Sequence, residues 1–244
     1  MAGLWAALSF LTILPHFPQK RPVEVHDWRG SALWFPIVGA IVGSLVWLVG
    51  WSAGQVFASW LAAALAVAAW AIITGGLHLD GLADCCDGLL APVEAQQRRQ
   101  IMRDPRVGVF GAIGLILFLV LKIGALQQVL SGPTGAAIIL ATVLGRVSIL
   151  WLARQPAARA GGMGADFAQQ IGRRAPLLAS LPVLVLALLY GWRGVAAVVA
   201  ALLATAGVLG FARRRIGGVS GDVYGLTLES VELAVLLVFA AQFP

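Results

Sequence analysis

Seven apolar stretches, at about residues 33–51, 56–74, 108–130, 135–153, 177–191, 195–212 and 226–243, restrict this chain more than any other feature. Several approach or exceed the ~18–20 residues that carry a helix across a bilayer core. They are continuous rather than alternating, which excludes a membrane β-barrel. The 244 residues are 60 % hydrophobic and only 11 % charged. The sequence therefore predicts an all-α, polytopic integral membrane bundle of about seven transmembrane helices, forming a single domain over 1–244. The first stretch, Met1 to Leu14, lacks the basic start and small-residue cleavage site of a signal peptide and is broken by Pro15, Pro18 and Pro22. It is expected to be interfacial or re-entrant.

Charge distribution sets the topology. With the N-terminus inside, fourteen of the seventeen lysines and arginines fall in inner loops, as the positive-inside rule requires. The net charge of +6 is thus a topological signal. It forms no basic stripe and accompanies no nucleic-acid motif, so no nucleic-acid partner is expected. The same layout puts Asp80, Asp84, Asp87, Asp104, Asp166 and Asp222 on the cytoplasmic side.

Against this apolar background, His78-Leu79-Asp80-Gly81-Leu82-Ala83-Asp84-Cys85-Cys86-Asp87-Gly88 holds three carboxylates. The segment 75–91 is predicted to be a separate short helix that begins at a Gly75-Gly76 break. Asp80, Asp84 and Asp87 are i, i+4 and i+7 and share one face of it. Like charges so placed repel, and hard carboxylate oxygens suit Mg²⁺. A membrane-bound Mg²⁺ site is suited to a phosphate or diphosphate substrate. His78 is a candidate proton acceptor or phosphate donor, or a capping or packing residue. Cys85 and Cys86 are expected to pack the back of the helix, not to bind zinc or pair.

Two further segments bear chemistry. In Met102-Arg103-Asp104-Pro105-Arg106-Val107-Gly108 the arginines suit bidentate phosphate contacts. Asp104 before Pro105 breaks the chain there, and Gly108 opens a helix N-terminus that favours anions. Gly221-Asp222-Val223-Tyr224-Gly225 is a glycine-rich turn able to offer amides to phosphate and a carboxylate to metal. Lys122 and Arg146 lie inside spans, with Glu229 and Glu232 of the last span as natural partners. Intramembrane charge marks a functional site by default, and the alternative is an interhelical ion pair that only fixes packing. Gly39-x-x-x-Gly43 suits close helix packing.

These strings resemble the cobalamin synthase (adenosylcobinamide-GDP ribazoletransferase) family. The resemblance is carried by Gly75-Gly76-Leu77-His78-Leu79-Asp80-Gly81-Leu82-Ala83-Asp84 with Asp87-Gly88. It extends through Met102-Arg103-Asp104-x-Arg106-x-Gly108 and Gly221-Asp222-x-x-Gly225 followed by Glu229. Phe10-Leu11-Thr12-x-Leu14-Pro15 and Phe35-Pro36-x-x-Gly39 also fit.

The resemblance implies a multi-pass enzyme of the bacterial cytoplasmic membrane, with its site facing the cytoplasm. It would join adenosylcobinamide-GDP to α-ribazole or α-ribazole 5′-phosphate, release GMP and require Mg²⁺. Asp80, Asp84 and Asp87 are then the expected metal ligands, and Asp84, Asp87, His78 and Asp222 the catalytic set. Arg103, Arg106, Asp104, Lys122, Arg146, Gly108 and Glu229 are the expected substrate contacts. Homo-oligomers or contacts with enzymes of the same pathway are conceivable partners. A CDP-alcohol phosphotransferase is the nearest rival, from Asp84-x-x-Asp87-Gly88-x-x-Ala91. Pro92 stands where that family has Arg, however, and the second half of its motif is missing. A prenyl-diphosphate transferase and a cation-coupled transporter rank below it.

Overall fold

The computed structural model describes residues 2–14, 28, 30–158, 161 and 163–242. Eleven α-helices follow one another among them: α1 (Ala2–Leu11), α2 (Phe35–Gly54), α3 (Ser59–Ile73), α4 (Leu77–Leu90), α5 (Ala95–Ile101), α6 (Val109–Ser131), α7 (Ala137–Leu152), α8 (Met163–Gln170), α9 (Ala175–Leu188), α10 (Gly191–Ile216) and α11 (Gly221–Ala240). Pro15, Pro18, Pro22, Lys20, Arg21, Arg29 and Arg159 lie outside the described residues.

All seven expected apolar stretches are helical, but their lengths differ from expectation. Four helical stretches are long and apolar enough to cross a membrane alone: Ala32–Gly54, α6, α10 and α11. The other three fall short, at 15 residues in α3, 16 in α7 and 14 in α9. Counting α3 with α4 and α8 with α9, each pair bent by about a right angle (92° and 89°), gives up to six spans. The polytopic all-α bundle is thus found with four to six candidate spans, against an expectation of about seven.

Helix α7 explains how a short helix can be central. All its residues except Ile139 and Trp151 are buried, and α2, α9, α10 and α11 surround it. A helix walled by protein needs no lipid-matched length. Its contact with α2 uses the Gly39-x-x-x-Gly43 pattern. A Cβ on Gly39 would lie 2.8 Å from the Val143 Cα, and one on Gly43 2.7 Å from the Ile139 Cα. The Thr142 hydroxyl donates across this close approach to the Gly39 carbonyl at 2.7 Å, an interhelical bond of the type that strengthens membrane packing.

Outward faces of α6, α9 and α10 are apolar and exposed, as in Ile116, Val120, Leu181, Val185, Val199 and Leu203. Exposed Trp51, Phe57, Trp60 and Trp192 cluster at the turns between α2 and α3 and between α9 and α10. Aromatic rings at that level fit a membrane–water interface. The site lies at the other end. Helix α1 packs there with Ala7 and Leu11 fully buried, and the Ile13 amide donates to the Ile73 carbonyl at 2.9 Å.

Candidate active site

Two consecutive left-handed glycines create the site helix. Gly75 (φ +63°) and Gly76 (φ +68°) turn the chain out of α3. The Gly76 amide donates to the Ala71 carbonyl at 2.8 Å, closing the end of α3 where only glycine adopts that backbone without strain. Helix α4, bent by 92° from α3, then lies against α6 and α11. Arg98 of α5 fixes its far end by donating to the Gly88 (3.2 Å) and Leu89 (2.7 Å) carbonyls.

Helices α4 and α11 touch backbone to backbone. A Cβ on Gly81 would meet the Asp222 carbonyl oxygen at 2.9 Å, and one on Gly225 the His78 carbonyl oxygen at 2.9 Å. Asp222 belongs to the first turn of α11, whose cap is the Ser220 hydroxyl accepting the Val223 amide at 3.4 Å. The expected turn at Gly221–Gly225 is therefore already helix. Just before it, residues 156–158 pair with Val219 in a short bridge, tying the segment after α7 to the start of α11.

His78, Asp80 and Asp222 line one cavity of about 120 Å³. Asp80 is exposed and Asp84 half-buried on the same helix face. Burial, then the negative charges of Asp80, Asp222 and Asp87, push the Asp84 carboxyl up to about 7. That mutual repulsion is what a bound cation would relieve. Among the described residues, no three His, Cys, Asp or Glu side chains converge as a ready-made metal site. Asp222 also lines a second, shallower cleft with Arg99, Arg103 and Ser220, so it stands between the cavity and the arginines. Arg103 is exposed there, while Arg99 donates to the Ile216 carbonyl at the end of α10.

Other expected site residues have different partners. Asp87 is turned to α6: its two oxygens accept the amides of Gly108 at 2.7 Å and Gly111 at 2.8 Å. The anion at the N-terminus of α6 is therefore a side chain of the protein. Arg106 makes a two-pronged, exposed pair with Asp104 at 2.9 and 2.6 Å. Those hydrogen bonds from Arg106 hold Asp104 down at about 2.

Lys122, Arg146 and Glu229 are brought together, but inside the bundle. Lys122 bonds Glu229 at 2.6 Å and Glu232 at 2.9 Å, and Arg146 bonds Glu232. All four side chains are at most 3 % exposed. Lys122 also sits 3.8 Å from the Trp70 ring centre. The packing alternative for these charges thus describes their geometry, and the open face of the site does not include them. His78 links the two layers. It is 4 % exposed, and burial with the nearby Arg146 and Lys122 charges keeps its pKa well below the ordinary value, hence neutral.

Ile149 of the cavity wall and Arg99 of the cleft receive no site role from sequence reasoning, and Phe10 and Tyr224 stand in the motif strings without one. Apolar residues in apolar helices give no local signal. Cys85 is buried and Cys86 half-buried, both free thiols, and they pack as expected.

Known proteins match this chain along nearly its whole length. No solved structure matches it. An adenosylcobinamide-GDP ribazoletransferase of Roseiflexus sp. (strain RS-1) is 36 % identical over 248 residues, covering 100 % of this chain and 91 % of that protein. The enzyme of the same name from Pseudomonas fluorescens (strain Pf-5) is 39 % identical, covering 97 % and 98 %. That of Brevibacillus brevis is 33 % identical, covering 97 % of each. A family model described as cobalamin-5-phosphate synthase matches residues 3–240, and with relatives of this identity along its whole length the chain belongs to that family.

Proposed function

We propose that the chain joins adenosylcobinamide-GDP to α-ribazole, or to α-ribazole 5′-phosphate, and releases GMP. Membership of the family and the names of the relatives support the substrates. The single observation that carries the chemistry is the position of Asp222, with the carboxylates Asp80 and Asp84 on one side and Arg103 on the other. That arrangement suits a diphosphate and a hydroxyl nucleophile meeting at one point.

The donor set fits Mg²⁺. This ion usually takes one or two carboxylates and completes its octahedron with water and substrate phosphates, so a site without three converged ligands is no obstacle. Asp80 and Asp84 would hold it, with Asp87 withdrawn to α6. Held there, Mg²⁺ would supply positive charge to a diphosphate and to the departing GMP. Arg103 grips phosphate oxygens. A secondary ribose hydroxyl, free in both acceptors, attacks the phosphorus attached to the cobinamide arm. The bond from that phosphorus to the bridging oxygen breaks, and GMP leaves with that oxygen. Asp222 takes the hydroxyl proton. The basic loops at this end point the site to the cytoplasm and the bundle to the bacterial inner membrane.

Purified protein in liposomes, given Mg²⁺ and both substrates, should form cobalamin and GMP in equal amounts, and EDTA should stop both. Absence of product from folded protein would remove the assignment. EDTA-resistant turnover would remove the metal alone.

A further inference from the structure

The cavity that Asp80 and Asp222 line on one side has apolar side chains over most of the remainder. Phe10, Leu77, Ile149 and Tyr224 form its walls. Phe10 stacks on Phe167 at 5.0 Å and 15°, and Phe35 stacks on Phe167 at 5.5 Å and 23°. Tyr224 meets the same Phe167 edge-on at 5.9 Å. One wall is thus a rigid aromatic layer, suited to a flat ring. At about 120 Å³ the cavity is smaller than the ~300–1,000 Å³ that encloses a drug-sized ligand. It can take a ring, but not the macrocycle of the donor.

Besides the two carboxylates, the cavity is lined by one imidazole. His78 is 4 % exposed, and its Nδ1 has no hydrogen-bond partner. Leaving a buried polar atom unpaired costs about 1–3 kcal/mol. A ligand that supplies the missing partner removes that cost.

We propose that this cavity seats the fused aromatic ring of the nucleoside acceptor, and that His78 Nδ1 bonds the ring nitrogen not used by the glycosidic bond. The inference rests on the transferase reading above and specifies which part of the site selects the acceptor. A ring held here directs its ribose toward Asp80 and Asp222, where the free secondary hydroxyl must react. A purine would bring ring substituents that are hydrogen-bonding groups against Phe10 and Ile149, which can satisfy none of them, so apolar-substituted rings are favoured.

The test uses the full-length protein in liposomes. KM is measured separately for α-ribazole and adenosylcobinamide-GDP, and α-ribazole binding without donor is followed by the fluorescence of its ring. Leu77 is 45 % exposed, so Leu77→Trp narrows the cavity without disturbing the core. It should raise KM and Kd for α-ribazole about ten-fold or more while the donor KM stays within about two-fold. Ile149→Ala should improve use of rings with bulkier apolar substituents relative to α-ribazole. Wild type should prefer α-ribazole to its indole counterpart, which lacks the ring nitrogen, and His78→Ala should lose that preference. Unchanged α-ribazole constants in both Leu77→Trp and Ile149→Ala would overturn the subsite, as would an equal rise for both substrates. A wild-type protein that uses no α-ribazole would overturn the transferase reading and the subsite with it, and shows itself before any variant is made.

Discussion

Asp87 accepts the backbone amide of Gly108 at 2.7 Å, across 21 residues of sequence, and so closes the N-terminus of α6 with a carboxylate from α4. Its other oxygen takes the Gly111 amide. This clamp joins the site helix to a membrane span. Capping carboxylates of this kind contribute about 0.5–2 kcal/mol. Asp87→Ala should lower the melting temperature in detergent and reduce turnover together, whereas Asp87→Asn, which keeps one acceptor oxygen, should recover part of both. Loss of turnover in Asp87→Asn with an unchanged melting temperature would instead assign Asp87 to the metal.

Burial and the neighbouring carboxylates both raise the Asp84 carboxyl. Asp84→Asn should cut turnover by about 100- to 1,000-fold and leave membrane insertion unchanged, checked by assays on equal amounts of purified protein. Near-normal turnover would exclude it from the metal site.

The same group predicts a pH dependence. Its carboxyl titrates at about 7 in the fold against 3.8 ordinarily, so the folded state holds a proton that the unfolded chain has already released. The stabilising effect is complete below pH ~4 and is lost as pH rises through about 7. Metal-free protein should therefore lose melting temperature between pH 5 and 8. Mg²⁺ should restore it, and Asp84→Asn should flatten the trend.

Arg103 and Arg106 should separate in kinetics. Arg103 lies by Asp222, free for phosphate, while Arg106 is spent on Asp104 at the surface. Arg103→Ala should raise the KM for adenosylcobinamide-GDP about ten-fold or more. Arg106→Ala, at an exposed surface pair, should leave both stability and that KM little changed. Equal KM effects would mean that Arg106 leaves Asp104 to meet the substrate.

Lys122→Met should leave Glu229 and Glu232 buried with only Arg146 for charge, at a cost of about 3–5 kcal/mol. Thermal unfolding in detergent reads this directly. A loss of turnover with no loss of stability would return these charges to the substrate site.

Much of the architecture was legible because it is written in local patterns. The apolar runs, the Gly75-Gly76 break, the shared face of Asp80, Asp84 and Asp87, and the small residues Gly39 and Gly43 each act within one or two turns of chain. Span length was less legible, since whether α7 needs to match a bilayer depends on the helices around it. The partners of Asp87, Arg98 and Arg99 lie on other elements, so their capping roles had no trace in their own segments. His78 was visible as a histidine, but the aromatic wall that gives its unpaired nitrogen a meaning comes from α1, α8 and α11.

The buried charges also bear on how the protein is made. Lys122 precedes its partner Glu229 by 107 residues, and Arg146 precedes Glu232 by 86. During synthesis both cations must enter the membrane before α11 exists, each at an insertion cost of about 2.5–3.5 kcal/mol near a bilayer centre. The last helix brings the two glutamates that neutralise them. A chain that lacked α11 would leave Lys122 and Arg146 without their carboxylate partners, so the charge balance of the bundle is completed only by its last helix.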